Sequence, residues 1–165
     1  MVEGMNPTHA PRHDPAIEPR PIVCAVDDDA LAAQVLQTAA ELAQRFEAPL
    51  LVVHSPYPDM FLTGERYLST IEAGRAFVER VSDGIVVDEY IVEIGPPEQL
   101  IVDVADDAAA LVVLGTRSRG RVEATLRGSV SHAVIANAKC PIVAVSATAA
   151  PLISPGARRP AAGRV

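Results

Sequence analysis

Apolar runs alternate with amphipathic stretches along the middle of the chain. The first run, residues 22–26, is uninterrupted, as expected of a strand that is buried on both faces. The stretch that follows repeats at helical spacing, through Leu31, Val35, Thr38, Leu42 and Phe46. The same alternation predicts further strands at residues 50–54, 85–94, 110–114 and 141–145. Strands separated by helices indicate an α/β fold, with a doubly wound, five-stranded parallel sheet and helices on both of its faces.

The composition changes at both ends of this pattern. Residues 1–20 are rich in proline and show almost no apolar pattern, and residues 147–165 have the same character. Such segments have too few apolar side chains to dock on a domain, so we predict disordered tails on either side of one domain of residues 21–146. The 165 residues, of which 49% are hydrophobic, are enough for one sizeable core.

Charge and composition exclude several classes of function. The formal net charge of −7 disfavours general binding to nucleic acids. No apolar run approaches the ~20 residues that a membrane-spanning helix needs, and no secretory signal is visible, so we expect a cytoplasmic protein that binds neither nucleic acid nor membrane. Cys24 and Cys140 lack metal-binding spacing and are expected to be reduced, buried thiols. No motif predicts a metal site or places a catalytic residue.

Two polar segments follow predicted strands. Ligands of doubly wound sheets bind beyond the carboxyl ends of strands, where the strand order reverses. Three aspartates, residues 27–29, follow the first strand, and residues 115–120 follow the fourth. The aspartates could hold a metal for phosphoryl chemistry, hold a nucleotide, or start a helix. The first function is that of response-regulator receiver domains, which also require an aspartate at the end of the third strand, whereas here that strand ends in Glu93 and Ile94.

Residues 111–135, LVVLGTRSRGRVEATLRGSVSHAVI, locally invert the charge of the chain. The segment carries Arg117, Arg119, Arg121 and Arg127, with Glu123 as the one acid. Gly115 is expected to end the fourth strand and let the backbone turn close to a ligand. Gly128 and Ser129 are expected to open a helix, whose free N–H groups and positive dipole end form an anion site. Singly, these features fit a solvated loop with an ordinary helix cap; together they favour phosphate binding.

The same segment resembles the nucleotide motif of universal stress proteins, Gly-x2-Gly-x9-Gly-Ser/Thr. Gly115 matches the first glycine, and Gly128 and Ser129 match the last pair. Ser118 stands where the motif has its second glycine, and Gly120 comes two residues late. The runs AVDDD, LLVVHS and CPIVAV are similar to the family's first, second and closing strands. The resemblance covers about residues 20–146 and implies strand order 3-2-1-4-5, with ATP or a related adenine nucleotide, with or without Mg²⁺, between strands one and four.

The resemblance also implies which residues bind the nucleotide. Asp27 would contact the base or ribose, and Ser55 would lie near the base. Asp29 is placed to cap the first helix, and Asp28 is either solvated or helps to attract a metal ion. His54 has two interpretations, a structural histidine or one that faces the site. The predicted nucleotide-binding residues are Ala25, Val26, Asp27, Ser55, Gly115, Thr116, Arg117, Ser118, Gly120, Arg127, Gly128, Ser129, Val130 and Ser131.

The sequence therefore predicts a stress-response protein that binds ATP or a related adenine nucleotide as a regulatory or signalling module. No nucleophile is clearly placed, so any catalysis is expected to be slow ATP hydrolysis at most. Two alternatives stay open: an interaction protein of the same fold that no longer binds nucleotide, which Ser118 supports, and a cyclic-nucleotide binder. A homodimer is expected through the edge formed by the fifth strand, whose apolar residues are Ile142, Val143, Ala144 and Val145.

Overall fold

The computed structural model of the chain describes residues 19–56, 63–106, 108–116, 130–148, 150 and 152. Within these residues, strands and helices alternate along the sequence. They are β1 (Ile22–Ala25), α1 (Ala32–Phe46), β2 (Leu50–His54), α2 (Gly64–Val81), β3 (Glu89–Val92), α3 (Pro97–Ala105), β4 (Leu111–Thr116), α4 (Val130–Asn137) and β5 (Ile142–Ser146). No helix in this part of the chain is both long and apolar enough to cross a membrane.

The strands form one parallel sheet in the order β3-β2-β1-β4-β5. Central β1 pairs with β2 on one side and with β4 on the other, so Ala25 has Val53 and Leu114 as its neighbours in register. The chain winds outward from β1 to β3, crosses back, and winds the other way through β4 and β5. The doubly wound parallel sheet and the predicted strand order are confirmed, and the order reverses between β1 and β4.

Both faces of the sheet are buried, because the side chains of a strand alternate between two cores. Cys24 of β1 belongs to the core beneath α1 and α2, together with Leu36. Val23, its neighbour, belongs to the core beneath α3 and α4, together with Ile101 and Val134. Burial on both faces explains why the first strand is an uninterrupted apolar run. Burial also raises the pKa of the Cys24 thiol far above its ordinary value, as expected of a structural cysteine.

The start of β3 and the buried face of α1 are among the details that differ from the predicted pattern. β3 begins at Glu89 rather than at residue 85, because the chain first turns at Gly84 (φ 76°), and the Asp88 carboxylate then accepts the backbone N–H of Leu50 at 2.8 Å. The buried face of α1 is rotated from the predicted stripe, since Ala39 is fully buried whereas Phe46 is 60% exposed. Alanine lets a helix approach a sheet closely. Because its side chain is small, a buried alanine such as Ala39 does not appear in a helical pattern of large apolar residues.

The two predicted tails fall mostly outside the described residues, which leave out residues 1–18 and 153–165. The end of the N-terminal segment is in contact with the domain. Arg20 donates from Nε to the carbonyl oxygen of Ala108 at 3.1 Å. The carbonyl oxygen of Pro21 accepts the N–H of Ala110 at 2.8 Å. The domain limits of residues 21–146 and the disorder of the tails stay predictions.

Candidate functional site

Three strand ends and two helix starts enclose a cavity of about 90 Å³ at the carboxyl edge of the sheet. The strands are β1, β2 and β4, and the helices are α3 and α4. The cavity therefore lies where the strand order reverses, which is the point at which doubly wound sheets bind ligands. Its wall consists of Ala25, Val26, Asp27, Val53, Ser55, Pro97, Leu100, Ile101, Leu114, Val130 and Ser131.

The apolar floor of the cavity follows from the register of the three central strands. Ala25, Val53 and Leu114 form one row across the sheet, and side chains in one row point to the same face. Leu100 and Ile101, from the first turns of α3, close the opposite side. The result is a slot with two apolar sides, which suits a flat ring.

Asp27 lies at the mouth of this slot. The chain leaves β1 through Val26, whose N–H donates to the carbonyl oxygen of Val53 at 3.0 Å. The Asp27 carboxylate then accepts the N–H of Asp28 at 2.9 Å, and its carbonyl oxygen accepts the N–H of Asp29 at 2.8 Å. These contacts form a tight turn that holds the exposed Asp27 side chain beside the cavity.

The next two aspartates have different surroundings. The Asp29 carboxylate accepts the N–H of Leu31 at 2.8 Å, directly before α1 begins. The N-cap position of α1 is Leu31, which makes no side-chain capping bond, so Asp29 stabilises the turn ahead of the helix and the prediction that it caps α1 is wrong. Asp28 is exposed. Among the described residues, no group of three or more His, Cys, Asp or Glu side chains could hold a metal ion.

Ser55 ties the end of β2 to the start of α3. Its hydroxyl donates to the carbonyl oxygen of Gly95 at 2.7 Å, just ahead of Pro97, the first residue of α3. Proline suits this position because the first helical N–H has no partner within the helix. The first turns of α3 and of α4, with Val130 and Ser131, both face the cavity. Helix starts carry a partial positive charge that attracts anions.

The structure brings part of the predicted nucleotide-binding set together. Six of those residues are in the wall of the cavity, and they are Ala25, Val26, Asp27, Ser55, Val130 and Ser131. Six others lie outside the described residues, and they are Arg117, Ser118, Gly120, Arg127, Gly128 and Ser129. The nucleotide-binding set as a whole therefore stays a prediction.

Gly115 and Thr116 lie inside β4, so the expectation that Gly115 ends the fourth strand is wrong. The ladder continues past it, with Gly115 opposite Val145 and Thr116 opposite Ser146. A Cβ atom on Gly115 would come within 3.2 Å of the Val35 side chain on α1. The glycine therefore lets α1 approach β4, on the face of the sheet opposite the cavity. Thr116 donates from Oγ1 to the carbonyl oxygen of Val145 at 3.3 Å, and neither residue lines the cavity.

Sequence reasoning missed the apolar part of the wall. Val53, Leu100, Ile101 and Leu114 line the cavity, but along the sequence they are indistinguishable from core residues. The register supplies a signal, because Val53 and Leu114 share a row with Ala25, a residue that the resemblance did identify. Pro97, the first residue of α3, also belongs to the wall.

His54 faces the other side of the sheet and does not line the slot. It is buried, its Nδ1 donates to the carbonyl oxygen of Val26 at 3.0 Å, and its ring centroid lies 4.8 Å from that of Phe77. Burial lowers the pKa of His54, and the bond to Val26 and the charge of Asp28 oppose that effect in part. These contacts support the interpretation of His54 as a structural histidine that joins β1 to β2.

Comparisons with known proteins agree with this architecture. The chain is 32% identical over 136 residues to "Universal stress protein in QAH/OAS sulfhydrylase 3'region" from Thermus aquaticus. The alignment covers 75% of this chain and 96% of that protein. The chain resembles the solved structure of the universal stress protein from Archaeoglobus fulgidus in complex with dAMP, with 30% identity, a TM-score of 0.54, and coverage of 78% of this chain and 98% of the other. A universal stress protein in complex with cAMP shares the fold, with a TM-score of 0.57 and 19% identity over 79% of this chain and 98% of the other.

The match to the family extends over the whole sheet. The family model described as "Universal stress protein family" matches residues 18–146, from before β1 to the last residue of β5. This span includes the cavity wall and the segment of residues 117–129 that follows β4. The chain belongs to the universal stress protein family.

Proposed function

We propose that the chain binds an adenine nucleotide at the carboxyl edge of the sheet and works as a regulatory or signalling module. The observation that carries the proposal is the apolar slot at the reversal point, with a carboxylate at its mouth. The family relative of known structure that contains dAMP, at 30% identity, supports an adenine nucleotide as the class of ligand.

The slot suits the base of the nucleotide. Its volume of about 90 Å³ is well below the roughly 300–1,000 Å³ of pockets that enclose a whole small molecule. The adenine ring would pack between Val53 and Leu114 on the sheet and Ile101 on α3. Asp27 would accept a hydrogen bond from the exocyclic amine or from a ribose hydroxyl, and a carboxylate is a strong acceptor for both.

The phosphates would extend along the sheet edge toward α4. Ser131 is in the first turn of that helix, whose start favours an anion. Arg117 and Arg127, in the segment that leads to α4, would add charge-assisted hydrogen bonds. ATP, with or without Mg²⁺, is the proposed form of the ligand. Ser118 reduces the backbone freedom that a motif glycine would give, so we expect binding that is weak and dependent on salt.

Calorimetric titration of the full chain with ATP, ADP and AMP tests the proposal. Asp27→Asn should weaken all three by about the same factor, roughly tenfold, because the lost contact is a charged hydrogen bond to the base or ribose that the three ligands share. Asp28→Asn is a matched control: it makes the same change of charge one residue away, at a side chain outside the slot.

The outcomes separate the proposal from its alternatives. An absence of heat with any of the three ligands at millimolar concentration would favour an interaction protein that does not bind nucleotide. Tighter binding of cAMP than of ATP would favour a cyclic-nucleotide binder. One structural neighbour was solved in complex with cAMP. Equal effects of Asp27→Asn and Asp28→Asn would show that Asp27 makes no specific contact.

We infer a regulatory or signalling role rather than an enzymatic one. Phosphoryl transfer needs a positioned nucleophile or general base in addition to charge stabilisation. Of the residues that line the described slot, only Asp27, Ser55 and Ser131 carry polar side chains. The Ser55 hydroxyl is engaged with Gly95 at 2.7 Å, and Asp27 lies at the proposed base end of the ligand, away from the phosphates.

A further inference from the structure

The side of the slot that α3 forms is held to the sheet through a short segment, residues 93–96, which joins β3 to α3. Two successive residues at the end of β2 contact this segment. The carbonyl oxygen of His54 accepts the N–H of Glu93 at 3.2 Å. The Ser55 hydroxyl donates to the carbonyl oxygen of Gly95 at 2.7 Å, two residues before α3 begins at Pro97. The end of β2 therefore helps to fix the place where α3 starts.

The sequence of the segment explains why a serine hydroxyl makes this contact. Gly95 is buried, and a buried carbonyl oxygen needs a donor. Pro96 and Pro97 have no N–H, so neither can donate from its backbone to the end of β2. Gly95 also has a φ of 152°, a conformation that residues with a side chain rarely adopt. A side-chain donor on β2 and a glycine thus set the backbone conformation from which α3 starts.

The position of α3 determines how wide the slot is. Pro97, Leu100 and Ile101 form the α3 side of the slot, and Val53 and Leu114 belong to its floor on the sheet. The cavity has a volume of only about 90 Å³, so a small outward movement of α3 would enlarge it by a large fraction. Closely packed elements leave little spare space between them. The start of α3 is therefore a point at which the slot can select a ring by its size.

We propose that Ser55 is a positioning residue of the nucleotide site. Its bond to Gly95 holds α3 at the distance that fits an unsubstituted adenine ring and disfavours a larger one. The inference rests on the proposed nucleotide site and adds the source of its selectivity. A ring that fits with α3 in place keeps the bond intact. A larger ring must displace α3 and break the bond, so it binds more weakly.

The test compares ATP with 1,N6-etheno-ATP, which has the same ribose and phosphates and a larger ring, by calorimetric titration of the full chain. In Ser55→Ala, ATP should bind about two- to tenfold more weakly, the range that one neutral hydrogen bond contributes. Etheno-ATP should bind this variant as well as the unmodified chain or better. The preference for ATP should therefore fall at least about twofold. Ser55→Thr, which keeps the hydroxyl, should keep the preference.

A second variant and a matched control accompany Ser55→Ala. Gly95→Ala disfavours the φ of 152°, so α3 should start from a different position and the preference for ATP should fall in the same direction. Ser82→Ala removes another hydroxyl that donates to a backbone carbonyl oxygen, that of Val78 at 2.6 Å, at the end of α2 and outside the slot. This control should lower the melting temperature and leave the preference unchanged.

The outcomes distinguish the inference from the proposed function. If the unmodified chain binds no ATP at millimolar concentration, both are wrong. If it binds ATP and Ser55→Ala keeps the full preference for ATP, the proposed function stands and the inference is overturned. Equal weakening of both ligands in Ser55→Ala, with no effect of Gly95→Ala, would indicate a direct contact between Ser55 and the nucleotide and would overturn it too. An equal loss of preference in Ser82→Ala would do the same, because it would reflect a general loss of stability.

Discussion

A single buried histidine links the two central strands on one side of the candidate site. His54 ends β2, and its Nδ1 donates to the carbonyl oxygen of Val26, the residue that follows β1. Burial lowers the pKa of this imidazole below its ordinary value of 6.5. The folded chain therefore binds the proton less tightly than the unfolded chain, in which His54 titrates near 6.5. The stability that depends on neutral His54 is fully present above that pH and falls as the pH drops below it.

We expect the urea midpoint of unfolding to fall between pH 7.5 and pH 5 in part because of His54. In His54→Asn, whose side-chain amide can still donate to Val26, the decrease should be smaller, because the asparagine has no proton to bind. Equal pH dependence in the two proteins would show that His54 titrates alike in the folded and unfolded chains.

At the scale of single residues, the sequence predicts which residues lie near the site better than it predicts which way they face. The carboxylate of Asp27 could be predicted to lie at the site, because its strand is an unmistakable apolar run and the residue comes directly after it. The orientation of Gly115 could not, because it depends on where β4 ends. With the strand extended to Thr116, the glycine faces Val35 of α1 instead of a ligand.

The positions of the helices and strands could be predicted more surely than the faces that these elements bury. The alternation of strands and helices was sufficient for all nine described elements, because a parallel sheet needs a helix in each crossover. The face of α1 that meets the sheet was not predictable from large apolar side chains alone. Its buried residues include Ala39 and Ala43, and Glu41 is buried beside them.

The edge strand β5 is the element on which the prediction of a homodimer depends. β5 lies at the end of the sheet, and an unguarded apolar edge is prone to association. Ala144 is exposed while its neighbour Val145 is buried in the core, so Ala144→Lys adds a charge to the edge without disturbing the interior. We expect this substitution to weaken dimerisation at least about tenfold, because it would bury a charge at the interface, as measured by sedimentation velocity.

Glu89→Lys, on the opposite edge strand β3, is the matched control and should leave the dimer intact. A dimer that Ala144→Lys does not weaken would show that the interface lies elsewhere. A chain that sediments as a monomer without any substitution would contradict the homodimer itself.

Across the whole molecule, the fold class required only the alternation of elements, whereas the strand order came from the family resemblance. Periodicity cannot say on which side of β1 the fourth strand pairs. The polar residues of the slot could be predicted from the sequence, because Asp27 and Ser55 follow the ends of strands. Its apolar residues could not, because Leu114 and Ile101 become part of a site only when β4 and α3 come together around β1.

The limits of the domain give the last prediction. Its described elements end at Ser146, and at the other end the carbonyl oxygen of Pro21 accepts the N–H of Ala110 at 2.8 Å. A shortened chain of residues 19–148 keeps these contacts and should melt within a few degrees of the full chain, as followed by circular dichroism. A chain of residues 22–148 leaves the Ala110 N–H without that partner and should lose about 1–3 kcal/mol of stability. If residues 19–148 melt much lower than the full chain, one of the removed tails packs on the domain and is not disordered.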